Sequence, residues 1–155
     1  MRTSSEQSLS EQAAAIHDVI RASGTSLRPP EDVQAVVLAQ FFLYNVAKGG
    51  FAQLLYNAQG QYLAEIENML SAANALVAAR FYERAIHLCV ENRAEYQAFL
   101  AGDFIEPNEL KDALHGLSIE YFREKHDFIE EAASFVASSA ERVQEWVQSH
   151  SRNAG

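Results

Sequence analysis

At 155 residues, 48% of them hydrophobic, the chain is long enough for one ordinary domain with a substantial core, and its seven glycines and three prolines are too few for the many turns of an all-β protein. The single cysteine, Cys89, excludes an internal disulfide and a thiolate metal cluster and fits a reducing compartment. A formal net charge of −9 repels phosphates and argues against direct nucleic-acid binding, while the polar start from Met1 to Gln7 has no signal-peptide core and no window reads as the ~20 apolar residues of a membrane span. The expectation is a cytoplasmic protein with no membrane partner.

The helices follow in chain order. Leu9, Ala13, Ile16 and Ile20 share one face of a first helix that starts near Ser4 or at the capping box Ser8-Leu9-Ser10-Glu11 and stops at Gly24. Leu27-Arg28-Pro29-Pro30 is an extended connection. Pro30, Glu31 and Asp32 then suit the first turn of a second helix, whose dipole the two acids complement. From Val36 to Ala47 only Gln40 and Asn45 are strongly polar, the composition of a helix enclosed by others. Gly49 and Gly50 stop it, and Phe51, Leu54 and Leu55 share a face of a short helical turn reaching Asn57.

After the Gln59-Gly60 loop, Tyr62, Leu63, Ile66, Met69 and Leu70 predict a third helix. Ser71 or Asn74 is expected to cap a fourth, carrying Leu76, Val77, Phe81, Ala85 and Leu88. Asn92-Arg93-Ala94-Glu95 reads as a capping box for a short helix with Tyr96, Phe99 and Leu100, ended by Gly102. Asp103 to Asn108 is a loop. Leu110, Leu114, Leu117, Tyr121 and Phe122 resume the helical period, with Gly116 and Ser118 able to split it, and Phe128, Ala132, Phe135, Val136, Ala140, Val143 and Val147 form the stripe of a long last helix. The expected fold is all-α: a single compact domain over 1–148, about seven or eight helices around a buried central helix, with 149–155 a frayed tail.

The acidity is C-terminal. Residues 1–90 carry 8 acids against 6 bases, whereas 91–145 carry 13 acids against 5 bases. Asp103, Glu106, Glu109 and Asp112 recur every three residues, and Glu120, Glu124, Asp127, Glu130 and Glu131 continue at helical spacing. Carboxylates three or four apart on a helix stand roughly 5–6 Å from each other at Cβ, a spacing of the same order as that of phosphates along a strand. The row is either a phosphate imitation or a solvated face interrupted by Lys111, Arg123 and Lys125.

Other chemistry finds little footing. Glu83, His87 and Glu91 lie four apart on one helical face, but a di-iron bundle needs Glu-x-x-His on each of two helices, and only Asp112-x-x-His115 has that spacing. His87 and Cys89, two apart, point about 200° away from each other on a helix and form no dyad. No metal, no cofactor and no catalytic residues are therefore expected.

The stretch Gly49-Gly50-Phe51-x-Gln53-x-x-Tyr56-Asn57, followed by Gly60 and an Ala-rich region, resembles the signature of a bacterial domain-of-unknown-function family whose best-known type is an acidic DNA-mimic protein. The resemblance covers roughly 33–137, and Lys48 stands where the pattern carries Asn. It implies a non-enzymatic protein that binds a basic DNA-binding protein, such as a transcription regulator, and competes with its DNA. The nine acidic residues would form the binding surface, with the oligomeric state open and a homodimer among the options. The other reading is a small-ligand or enzymatic pocket at Gly49, Gly50, Phe51, Gln53, Tyr56 and Asn57. In a purely structural corner, Gln53, Tyr56 and Asn57 would hydrogen-bond the turn.

Overall fold

A central helix apolar on nearly every side must be enclosed, and the architecture follows from that requirement. The computed structural model describes residues 3–24 and 27–153, with side chains to 151. Among the described residues it contains seven helices and no strand: α1 (Ser4–Ala22), α2 (Glu31–Ala58), α3 (Leu63–Ala72), α4 (Leu76–Glu91), α5 (Arg93–Ala101), α6 (Glu109–Phe122) and α7 (Phe128–Asn153). α2 packs against α1, α3, α6 and α7, while α1 lies along α7 and α4 is held between α3 and α6. The all-α fold expected from the sequence is the fold observed.

α2 bears out one expectation and changes another. The helix breaks at the glycine pair, as its sequence predicts, with non-helical dihedrals at Gly49 (φ −143°, ψ 19°) and Gly50 (φ 67°, ψ −162°), and a second helical segment runs on to Ala58, so that α2 is two helices joined across a kink. By length and composition α2 could cross a membrane, with a mean window hydropathy of 1.3, contrary to the reading that no window approaches that limit. The apolar character has a different use here. Val33, Val36, Ala39, Phe42, Phe51, Ala52, Leu54 and Leu55 are all fully buried beneath the surrounding helices. Phe42 meets Phe51, Tyr82 and Phe128 with ring centroids 4.8–6.5 Å apart, which joins the two sides of the kink to each other and ties α4 and α7 to the segment before it.

The helix ends show which local signals operate. Thr3 caps α1, its Oγ1 accepting from Glu6 N at 3.1 Å, so Ser8-Leu9-Ser10-Glu11 lies inside the helix. Asn108 caps α6 by accepting from Lys111 N at 3.0 Å, and Asp127 does the same for Glu130 N ahead of α7. The capping box at Asn92 does not form: its amide donates to Leu88 O of the preceding helix instead. Neither Ser71 nor Asn74 caps α4; Asn74 adopts a left-handed φ of 57° in the turn before it. α6 is unbroken, because Gly116 faces open space and the Ser118 hydroxyl donates back to Leu114 O. α7 remains helical through Ser149–Asn153, the stretch expected to fray, and Ala154 and Gly155 lie outside the described residues.

Apart from tyrosines and the tryptophan, three polar side chains are buried in the described core, Gln12, Asn45 and Ser118, and each has partners. Gln12 on α1 donates to Val136 O and accepts from Ser139 Oγ, which fixes the register of α1 on α7. Asn45 and Ser118 belong to the corner described next.

Candidate functional site

The glycine corner is filled by its own side chains. The Ser118 hydroxyl, donating to Leu114 O, accepts from Phe51 N at 2.9 Å and so satisfies an amide freed by the kink. This contact needs a glycine at position 50, since a Cβ there would come 2.7 Å from Ser118 Cβ. Asn45, one helical turn before the kink, donates to Phe41 O, and its Oδ1 accepts from both Gln53 Nε2 at 3.1 Å and Asn57 Nδ2 at 2.7 Å. A single buried amide thus spans the kink and binds both polar motif side chains beyond it. Tyr56 reaches outward: its hydroxyl donates to Gly102 O at 2.8 Å, and its ring packs on Phe99 and Phe104.

Gln53, Tyr56 and Asn57 each spend one side-chain polar group on a partner within the protein. Phe51 is fully buried and Gly50 is enclosed. The α4–α6 and α2–α3–α7 grooves described below are lined by other residues.

The nine acidic residues do not form one row. Asp103 and Glu106 lie in the loop between α5 and α6, where Glu106 Oε1 accepts from Asp103 N and Asp103 Oδ1 accepts from Ile105 N, each at 3.3 Å. Glu109 and Asp112 occupy the first turn of α6, exposed, a position the helix dipole also favours. Among the described residues, none of these four carboxylates is ion-paired. Lys111, the one base in their midst, sends its ammonium to Phe104 O at 2.8 Å and Glu106 O at 2.6 Å and over the Phe104 ring. Asn108 Nδ2 donates to the backbone carbonyl of Glu95, which ties the start of α6 to α5.

The other five are engaged differently. Glu120 pairs with Arg84 at 3.1 Å and Glu124 with Arg80 at 3.3 Å, both across to α4. Asp127 caps α7, and Glu130 meets His126 Nδ1 at 2.9 Å. Glu131 is half-buried and takes Val77 N at 2.8 Å and Ala78 N at 3.0 Å, one on each carboxylate oxygen. It closes the otherwise uncapped start of α4 from a distance of 54 residues.

The α4 face holds the remaining titratable candidates. Glu83 and His87 approach to 3.9 Å on the exposed surface, and His87 and Glu91 line a groove of about 500 Å³ between α4 and α6. No three potential metal ligands converge among the described residues. Cys89 is on the opposite side of α4 from His87, buried, and burial pushes its thiol up to about 11.

With this geometry in hand, comparison with known families is direct. The family model described as DMP19-like protein matches residues 28–150. The chain belongs to that family. The match begins just before α2 and ends within α7, so the DMP19-like region contains the kinked helix, the glycine corner and all nine residues of the acidic set. No curated protein and no solved structure matches the chain.

Proposed function

We propose that this DMP19-like protein works by binding rather than catalysis, presenting carboxylates in place of phosphates to a basic, DNA-binding protein and so competing for its nucleic-acid site. The observation that carries the reading is the set Asp103, Glu106, Glu109 and Asp112: four exposed carboxylates within ten residues, with the one intervening ammonium drawn onto backbone carbonyls. The loop and the first turn of α6 that bear them are anchored by Tyr56 at Gly102 and by Asn108 at Glu95. A charge array held in a fixed shape loses less entropy on binding than a mobile acidic tail would. Glu120 and Glu124, paired with arginines, contribute less net potential. Asp127 and Glu131 serve as caps, so the mimic surface centres on the α5–α6 end rather than running through all nine residues.

The test is competition on a captured partner. Immobilised protein is exposed to native cytoplasmic extract, and what it retains is challenged with duplex DNA at two ionic strengths. Retained DNA-binding proteins should be released by DNA, and the variant Asp103→Asn/Glu106→Gln/Glu109→Gln/Asp112→Asn should retain roughly tenfold less, with a flatter salt dependence. Partners that DNA does not displace, or equal retention by parent and variant, would overturn the proposal.

A further inference from the structure

A second feature lies away from the acidic loop. α2, α3 and α7 diverge around a groove of about 860 Å³, and none of the nine acidic residues lines it. Its floor is apolar, made by Leu38, Met69 and Phe135, and the depression exists because Ala35 on one wall and Ala72 on another have short side chains. The rim is charged. Glu31, Asp32 and Glu65 stand around it against one base, Arg142, whose Nε is already 2.8 Å from Asp32 Oδ2.

The dimensions indicate the occupant. The lining runs from Glu31 to Leu38 on α2, from Glu65 to Ala72 on α3 and from Phe135 to Arg142 on α7. Each wall therefore spans eight residues, seven steps or roughly 10 Å at 1.5 Å per residue, which is two helical turns. Two turns are the repeat over which an amphipathic helix offers apolar side chains at i, i+3 or i+4, and i+7. The excess of acid over base on the rim selects basic residues flanking those anchors.

From this we infer that the α2–α3–α7 groove docks an amphipathic helix of a partner, apolar on the seated face and basic at its margins. The apolar anchors cover Leu38, Met69 and Phe135. Lysines or arginines of the partner pair with Glu65 and Glu31, which makes no side-chain ion pair among the described residues. This docking does not depend on the phosphate-mimic reading, since the two surfaces share no residue.

The probe is a capped, fluorescein-labelled peptide of about 14 residues, with leucines at helical i, i+4, i+7 spacing and lysines flanking them. Binding is read by fluorescence anisotropy to the full chain. Ser138→Trp fills the groove from the exposed side of α7, and Glu65→Lys reverses a rim charge; both positions are exposed, so circular dichroism should match the parent. Each change should weaken the peptide by roughly tenfold, and a peptide with glutamates replacing the lysines should lose as much. The Glu109→Gln/Asp112→Asn variant should bind the peptide as the parent does. Equal affinity for parent and Ser138→Trp, or a loss that follows Glu109→Gln/Asp112→Asn instead, would place the peptide elsewhere and overturn the assignment. So would a concentration-dependent dimer, seen by sedimentation, that Ser138→Trp abolishes, because the groove would then be occupied by a second copy.

Discussion

Replacing Gly50 by alanine tests the corner most directly. Its φ of 67° with ψ of −162° belongs to a region that side-chain-bearing residues rarely occupy, and holding alanine there costs on the order of 1–3 kcal/mol. The new Cβ would also come 2.7 Å from Ser118 Cβ, a contact that neither side can relieve without moving α6, and overpacking of this kind costs about 1–3 kcal/mol. If Ser118 retreats, Phe51 N loses its acceptor in a buried site, for about 1–3 kcal/mol more. These penalties overlap, so a loss of roughly 3–5 kcal/mol is expected. At about 2–4 °C per kcal/mol for a domain of this size, the thermal midpoint should fall by roughly 10 °C or more. Adding Ser118→Gly should relieve the clash but not the dihedral strain, so the double variant should recover part of the loss while Ser118→Gly alone destabilises. Melting curves of the four proteins form a complete cycle. A Gly50→Ala midpoint within about 2 °C of the parent, or no coupling between the two sites, would refute the account of the kink as a glycine-dependent seat for α6.

Two further changes probe other parts of the argument. Glu131→Ala removes the acceptor for two amides at the start of α4 and should cost about 1–2 kcal/mol, with Glu131→Gln recovering part of that; hydrogen exchange at Val77 and Ala78 should rise before the global midpoint moves. Cys89, pushed up to about 11 from a reference of 9.0, should react with a thiol reagent at pH 8 roughly a hundredfold more slowly folded than unfolded; equal rates would show that the thiol is not enclosed. The same shift carries a pH consequence. A thiol whose folded value is raised stays protonated in the native state, so its contribution is complete below pH 9 and is lost as pH climbs from 9 towards 11. Burial raises the hydroxyls of Tyr82 and Tyr121 as well, and the direction is the same, so the midpoint should drop on the alkaline side of pH 9.

How much of this was legible depends on how far apart in sequence the interacting residues lie. Periodicity located the helices because the apolar stripe is a local property: Leu9, Ala13 and Ile16, or Ile66, Met69 and Leu70, are buried as their spacing predicts. Caps were harder to read: the capping boxes at Ser8 and Asn92 and the caps at Ser71 or Asn74 do not form, whereas Asn108, read only as the end of a loop, caps α6. The α4 cap was not readable at all, since Glu131 sits in another helix and looks in sequence like any surface acid. The same limit applies to the acidic row. Glu120 and Glu124 have the helical spacing of a charged face, but whether Arg84 and Arg80 neutralise them is decided by the packing of α4 on α6. The break at Gly49-Gly50 was legible because two glycines are a local signal, whereas the angle at which the second segment leaves is set by what it packs on, Ser118 of α6 among them.

The glycine motif and the acidic loop, which look unrelated in sequence, are mechanically one unit. Asn45 holds Gln53 and Asn57 across the kink, and that bend aims the segment from Phe51 to Ala58 so that Phe51 N meets Ser118 and the Tyr56 hydroxyl meets Gly102 O. Ser118 belongs to α6, whose first turn carries Glu109 and Asp112, and Gly102 immediately precedes Asp103. Both ends of the unpaired acidic segment are thus fixed by side chains or amides of the motif, and the Phe99–Tyr56–Phe104 stack fills the space beneath the loop. An array of like charges repels itself and would spread if left mobile. Anchoring it at Gly102 and at Ser118 confines that repulsion to a fixed shape, so in the binding role proposed above the motif would hold the surface rather than touch the partner.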